Sequence, residues 1–423
     1  MPTKFPAATR CVLLMIAACA SAFAAEPPLG TNVEGLLALA KARNPDVAAM
    51  RHEATAAQER ALPAGALMPP RFKMELQDIT RSDTQIPTLL PGRVGAAQYT
   101  LSQDLPWTGK RGLRSELAAR EMDAAQARAV QVWLETAARI KAAYLQRYLV
   151  KATERLVSEN LDLMLQLEKV LQVRYAGGLS AQQDITRIHV EHTGMRVELA
   201  ALAGEWQVTQ TRLNALLARP LDAPLAAPEQ LRPLPDRARL SLSALSERLR
   251  QTSPALQAAL ARVSSAEKTR DLTLKNRYPD FTLGVSAMQR RGTWNEWGLM
   301  LELNLPIQSD VLRAQERESE AMLASAQARQ EAAANQALTD LSENLSALET
   351  ARQTEHLMTF SLMPQAELTW RAALAGYENG KADFATLLDA QRQIRQARLG
   401  QLKSQVEAQL RLAEIERLIG EEV

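Results

Sequence analysis

Between Tyr99 and Gly178 the hydrophobic pattern changes period, and the rest of the chain repeats that change. Tyr99, Leu101, Gln103 and Leu105 fall on every second residue, which is strand spacing. The chain then turns through Pro106-Trp107-Thr108-Gly109-Lys110-Arg111. From Leu113 to Ala176 it contains neither Gly nor Pro. Val130, Trp133, Ala137, Ile140, Tyr144 and Tyr148 follow helical spacing there. Leu149, Leu156, Leu163 and Val170 continue as a heptad. At 1.5 Å per residue the run predicts one helix roughly 100 Å long.

The same order of elements occurs twice. Asn44-Pro45 and Ser253-Pro254 each place a capping residue before a proline at the first helical position. Each helix passes near a proline into a strand, at Pro70–Leu76 and at Pro279–Val285. A second strand ends in Leu105-Pro106 and in Leu305-Pro306, and a long helical run follows, from Leu113 and from Val311. Each run reaches a tyrosine and a glycine, Tyr175 with Gly178 and Tyr377 with Gly380, then turns and returns as another helix. Helix, strand, strand, long helix, turn, helix is therefore a duplicated unit. The first repeat spans 25–219, with strands about 71–80 and 97–106, a long helix about 112–176 and a return helix about 180–218. A Pro- and Ala-rich linker covers 220–240. The second repeat spans 241–423, with strands about 280–289 and 296–306, a long helix about 310–377 and a return helix about 381–419. Pro364 is expected to kink or break the second long helix.

The strands alternate cleanly. Trp297, Leu299, Leu301, Leu303 and Leu305 alternate with Gly298, Met300, Glu302 and Asn304; Phe72, Met74 and Leu76 alternate with Lys73, Glu75 and Gln77. This fits a soluble sheet with one buried face, and equally a transmembrane β-barrel with a wet lumen. Trp107, Trp294 and Trp297 lie near strand ends, where an aromatic girdle sits. Four strands do not close a barrel, and open edges are not tolerated in lipid. Spanning strands would have to be shared among protomers, and three protomers would supply twelve.

Composition narrows the class. A net charge of +2 gives no global case for nucleic-acid binding. Few aromatics and abundant Ala, Leu, Gln, Glu and Arg point to long helices. Residues 1–24 read as an export signal: Lys4 and Arg10, an apolar run from Cys11 to Ala20, and Ala22-Phe23-Ala24 as cleavage site. Ile16-Ala17-Ala18-Cys19 offers the alternative of a lipidated Cys19. Both cysteines, Cys11 and Cys19, lie in this segment, so the cleaved chain has no disulfide.

The chain resembles the bacterial outer-membrane efflux channels of the TolC family, and within it the outer-membrane components of heavy-metal tripartite pumps of the cobalt–zinc–cadmium type. Ser102-Gln103-Asp104-Leu105-Pro106-Trp107-Thr108-Gly109-Lys110-Arg111, the paired Tyr-x-x-Gly turns and Leu387-Leu388-Asp389-Ala390-Gln391-Arg392 carry the resemblance. It implies a mainly α fold with a small transmembrane β part: a homotrimer with a twelve-stranded β-barrel in the outer membrane and an α-helical barrel across the periplasm. It implies a passive duct, not an enzyme, with no cofactor. Its partners would be outer-membrane lipid, a periplasmic adaptor and an inner-membrane RND pump. Tyr175, Gly178, Leu179, Tyr377, Gly380, Lys381 and Asp383 would form the periplasmic tips that meet the adaptor. Asp389 falls where acidic rings narrow the closed channel, and Thr386 where a second aspartate is often found. A ring of Asp389 side chains would favour cations. Pro106, Trp107, Gly109, Lys110 and Arg111 would connect strand to helix, with Lys110, Arg111 and Arg114 near anionic headgroups. The same fold exporting drugs or other small molecules, and a periplasmic coiled-coil adaptor, are the competing readings.

Other chemistry is weaker. Gly109-Lys110 lacks the glycine spacing and the following Ser or Thr of a phosphate-binding loop. His189 and His192, flanking Glu191, have a spacing that can bind metal, but His52 and His356 are far away in sequence, and no metal site is assigned.

Overall fold

The computed structural model describes residues 28–80, 87–290 and 293–423. The export segment, its cleavage site and Cys19 lie outside the described residues. In order, the elements are α1 (Val33–Arg43), α2 (Pro45–Ala64), β1 (Arg71–Gln77), β2 (Ala96–Leu105), α3 (Lys110–Ala176), α4 (Gln182–Leu216), α5 (Leu242–Thr252), α6 (Pro254–Lys275), β3 (Asp280–Arg290), β4 (Thr293–Asn304), α7 (Ser309–Leu357), α8 (Met363–Glu378) and α9 (Phe384–Ile419). Helix, strand, strand, long helix and return helix occur from α2 to α4 and again from α6 to α9.

Two compact units emerge from the packing. One joins the described residues up to Ala40 with Ala143–Arg232, the other Lys41–Ala142 with Pro233–Val423. This division does not follow the two halves of the repeat. Strands from both halves pair in one sheet, so residues 41–142 belong with the second half.

In the first unit, the linker after α4 is tied down by two buried polar groups of α3. The Arg147 guanidinium stacks on the Trp206 ring at 3.4 Å and donates to the carbonyls of Trp206 (3.2 Å) and Leu225 (2.9 Å). Burial pushes its pKa down to about 10. The Tyr144 hydroxyl donates to the carbonyl of Thr31, ahead of α1, at 2.9 Å, and reaches the linker carbonyl of Gln230 at 3.4 Å. Burial, then the nearby carboxylates Glu34 and Glu229, push that phenol up to about 12.

In the second unit the core lies where α5, α7 and α9 meet, around Leu245, Leu249, Leu341, Leu348, Ile415 and Ile419. Asn44 caps α2 through its side chain, accepting from the amides of Asp46 and Val47 at 2.9 and 3.1 Å. Ser253 sits at the equivalent place before α6 but makes no side-chain cap bond. The effect of Pro364 is milder than a break. Between α7 and α8 the helix widens into a π turn at Met358–Leu362, and the Met363 amide bonds to the Met358 carbonyl, five residues back. A proline cannot donate, and its ring crowds the carbonyl one turn before it; the extra residue in the turn absorbs both problems. Gln401 of α9 donates to the Thr359 hydroxyl there at 3.0 Å.

Candidate functional site

The sheet is antiparallel throughout, in the order β1-β2-β3-β4. Its register separates two faces. Phe72–Leu101–Val285–Leu299 form one cross-strand row, and Met74–Tyr99–Ala287–Trp297 the next. Leu283 pairs with Leu301, and Phe281 with Leu303, on the same face. The opposite face carries Lys73–Thr100–Ser286–Gly298 and Asp104–Thr282–Glu302. The apolar side is not covered: Leu299 is 83% exposed and Trp297 77%. Phe72 stacks on Tyr99 across it at 6.3 Å, and Trp294 packs on Tyr99 at a tilt at 5.5 Å. Strands β1 and β4 each have one unpaired edge within the described residues. No helix of the described residues is long and apolar enough to cross a membrane.

The strand–helix junction is held from inside. Trp107 lies between Tyr278 and Phe281, at 5.2 and 5.5 Å. Its amide donates to Asp280 at 2.8 Å. Lys110 donates to the same Asp280 oxygen at 2.8 Å and to the Tyr278 carbonyl at 3.0 Å. Its side chain is only 4% exposed. The expected placing of Lys110 against lipid headgroups is thus corrected: a carboxylate from the other repeat, invisible in local sequence, draws the ammonium inward. Arg111 spends its Nε–H on the Gly65 carbonyl at 2.9 Å. Gly109, at φ +90°, makes the turn after Pro106 possible.

Both Tyr-x-x-Gly turns close in the same way. Gly178 has φ +72° and Gly380 φ +70°. At the first turn, Leu179 donates to the Arg174 carbonyl (2.8 Å) and Gly178 to Tyr175 (2.9 Å). At the second, Lys381 donates to Gly376 (2.7 Å) and Gly380 to Tyr377 (3.1 Å). This pair of bonds satisfies the last carbonyls of a helix and demands a left-handed residue at the glycine. Tyr175 and Leu179 are exposed. Tyr377 is instead 8% exposed and packs on Phe384 at 5.8 Å, so its ring braces the turn and does not offer a surface. Asp383 caps α9, accepting from the Thr386 amide at 2.9 Å and from its hydroxyl at 2.5 Å. Asp389 is exposed and takes a bond from Arg392 at 3.2 Å. Lys381 is exposed.

His189 and His192 share a partner that spacing alone did not reveal. Glu168 of α3 meets His189 Nε2 at 2.9 Å and His192 Nδ1 at 3.1 Å. The facing carboxylate accounts for the pair as a clasp between α3 and α4. Among the described residues no group of three His, Cys, Asp or Glu is placed to hold a metal ion.

A family model described as outer membrane efflux protein matches residues 36–219 and 245–421. The cobalt-zinc-cadmium resistance protein CzcC of Cupriavidus metallidurans is 25% identical over 394 residues, covering 92% of this chain and 90% of that protein. The solved structure of CusC superposes with a TM-score of 0.79 at 16% identity, over 93% of this chain and 96% of that one. The outer membrane protein VceC of Vibrio cholerae gives 0.77 at 17%, over 92% and 96%. The likeness to these structures is one of fold: a mainly helical chain carrying a small sheet. Its work is transport and not catalysis, and no catalytic residue is assigned. On the match of the family model across most of its length, the chain belongs to the outer membrane efflux protein family.

Proposed function

We propose that the protein is the passive exit duct of a tripartite RND-type efflux system, exporting divalent heavy-metal cations. It acts as a homotrimer that docks on a periplasmic adaptor through the turns at Gly178 and Gly380, after export by its signal segment. The sheet carries the reading. An exposed apolar face opposite a polar one suits lipid outside and water inside. Unpaired edges are costly in lipid, so the sheet must be completed by other copies. Because β1 and β4 run in opposite directions, a copy related by rotation about the pore axis continues the antiparallel order across the seam. Three copies supply twelve strands, an even number in the usual range.

The cargo rests on the likeness to a cobalt-zinc-cadmium resistance protein. Asp389, with Thr386 close by on α9, is the proposed constriction. Cells lacking the protein should accumulate cobalt, zinc or cadmium, and the intact chain should restore export. Unchanged metal tolerance with raised drug sensitivity would favour the same duct carrying drugs.

A further inference from the structure

Among the described residues, the polar face of the sheet contains one acidic residue without a cationic partner. Arg71 pairs with Asp104 at 2.6 Å, Lys73 with Glu75 at 2.7 Å, and Arg290 with Glu296 at 3.9 Å. Glu302 of β4 is exposed, and no described cation reaches it. Its cross-strand neighbour is Thr282, whose hydroxyl is already donated to Asp104 at 2.7 Å. Glu302 lies two residues from the end of β4, on the side of the sheet where the strands join the helices.

Resting on the duct reading above, we infer that Glu302 sets the charge preference of the pore at the helix-side mouth of the barrel. The apolar face turns to lipid, so the polar face and Glu302 turn to the lumen. The other described charges of that face cancel in pairs, which leaves one net negative charge per copy among the described residues. Three copies make a ring of carboxylates at one level. Arg71 and Lys73, the cations that a neighbouring β1 would bring to the β4 edge, are already engaged within their own sheet. The ring therefore stays open to mobile cations passing through water, and a hydrated divalent ion gains most from it. This ring is separate from Asp389, which sits on α9 far along the chain.

The test is reversal potential in planar bilayers under a KCl gradient, using the purified full-length oligomer and the variants Glu302→Gln and Glu302→Asp. Three charges within a Debye length of the axis, about 10 Å at 0.1 M salt, change the cation-to-anion ratio about threefold. Glu302→Gln is expected to lose that factor and Glu302→Asp to keep it. An unchanged reversal potential in a conducting Glu302→Gln oligomer overturns the inference. So does a Glu302→Gln oligomer that loses heat stability while keeping its selectivity, because the carboxylate would then be spent on a neighbouring copy. A wild-type protein that forms no conducting oligomer overturns the duct reading beneath it.

Discussion

Replacing either member of the Lys110–Asp280 pair should destabilise the strand–helix junction, and unequally. Lys110 is nearly inaccessible, whereas the Asp280 side chain is 37% exposed. Lys110→Met keeps the aliphatic stem and removes the charge. Asp280 then retains the Trp107 amide at 2.8 Å and some water. The loss is about one charge-assisted hydrogen bond, reduced by solvent on the acid: about 2 kcal/mol. Asp280→Asn leaves a buried ammonium facing only neutral acceptors, the Tyr278 carbonyl and the new amide oxygen, with no counter-charge. Breaking a buried pair in that way costs about 3–5 kcal/mol. In Lys110→Met/Asp280→Asn neither charge remains, so the double variant should be more stable than Asp280→Asn alone. Hydrogen exchange of the residue-110 amide, which donates to the Trp107 carbonyl at 3.1 Å, reports locally, and helicity reports globally, during denaturant unfolding in detergent. Equal losses from the two single variants, adding without coupling in the double, would refute the idea that a buried ammonium organises this junction.

Gly380→Val should open the second turn, because φ +70° costs a β-branched residue at least about 1–2 kcal/mol even though no atom stands within 4 Å of the new Cβ; wild-type hydrogen-exchange protection at Lys381 would count against it. Leu301→Arg, on the exposed apolar face, should impair membrane assembly by about 2–4 kcal/mol, read as trimer yield; an undiminished yield would mean that this face does not meet lipid. Tyr144→Phe probes the buried phenol. Its pKa is raised to about 12, so the folded state holds the proton after an unfolded tyrosine has released it near 10. The stability it contributes is complete below pH 10 and is lost between about pH 10 and 12. Phenolate absorbance should therefore show one tyrosine titrating near 12 in the wild type and absent in the variant.

What could be read in advance was local. Alternation in Phe72–Gln77 and Trp297–Leu305 marks strands because side-chain direction follows position, and Gly178 and Gly380 mark helix ends because few other residues tolerate their backbone. Features that depend on distant partners stayed hidden. Asp280 is 170 residues from Lys110, so the pattern around Gly109-Lys110 pointed to the surface. Glu168 lies 21 residues before His189, across a turn, which left that histidine pair without an explanation. Pro364 announced a disturbance but not its form, because inserting a π turn depends on how α9 packs beside it. The buried ring of Tyr377 was missed because a Tyr-x-x-Gly turn looks the same whether the tyrosine faces inward or out. Of the proposed functional residues, Glu302 was visible only as one polar position in an alternating strand. Its proposed role came from the pairing of the other described charges on that face.

Oligomeric mass in detergent, together with outer-membrane fractionation of the full-length chain, tests the central claim most directly. The shared barrel predicts a trimer in the outer-membrane fraction. A water-soluble monomer in the periplasm would mean that the four strands form an ordinary sheet, and the duct would fall with them.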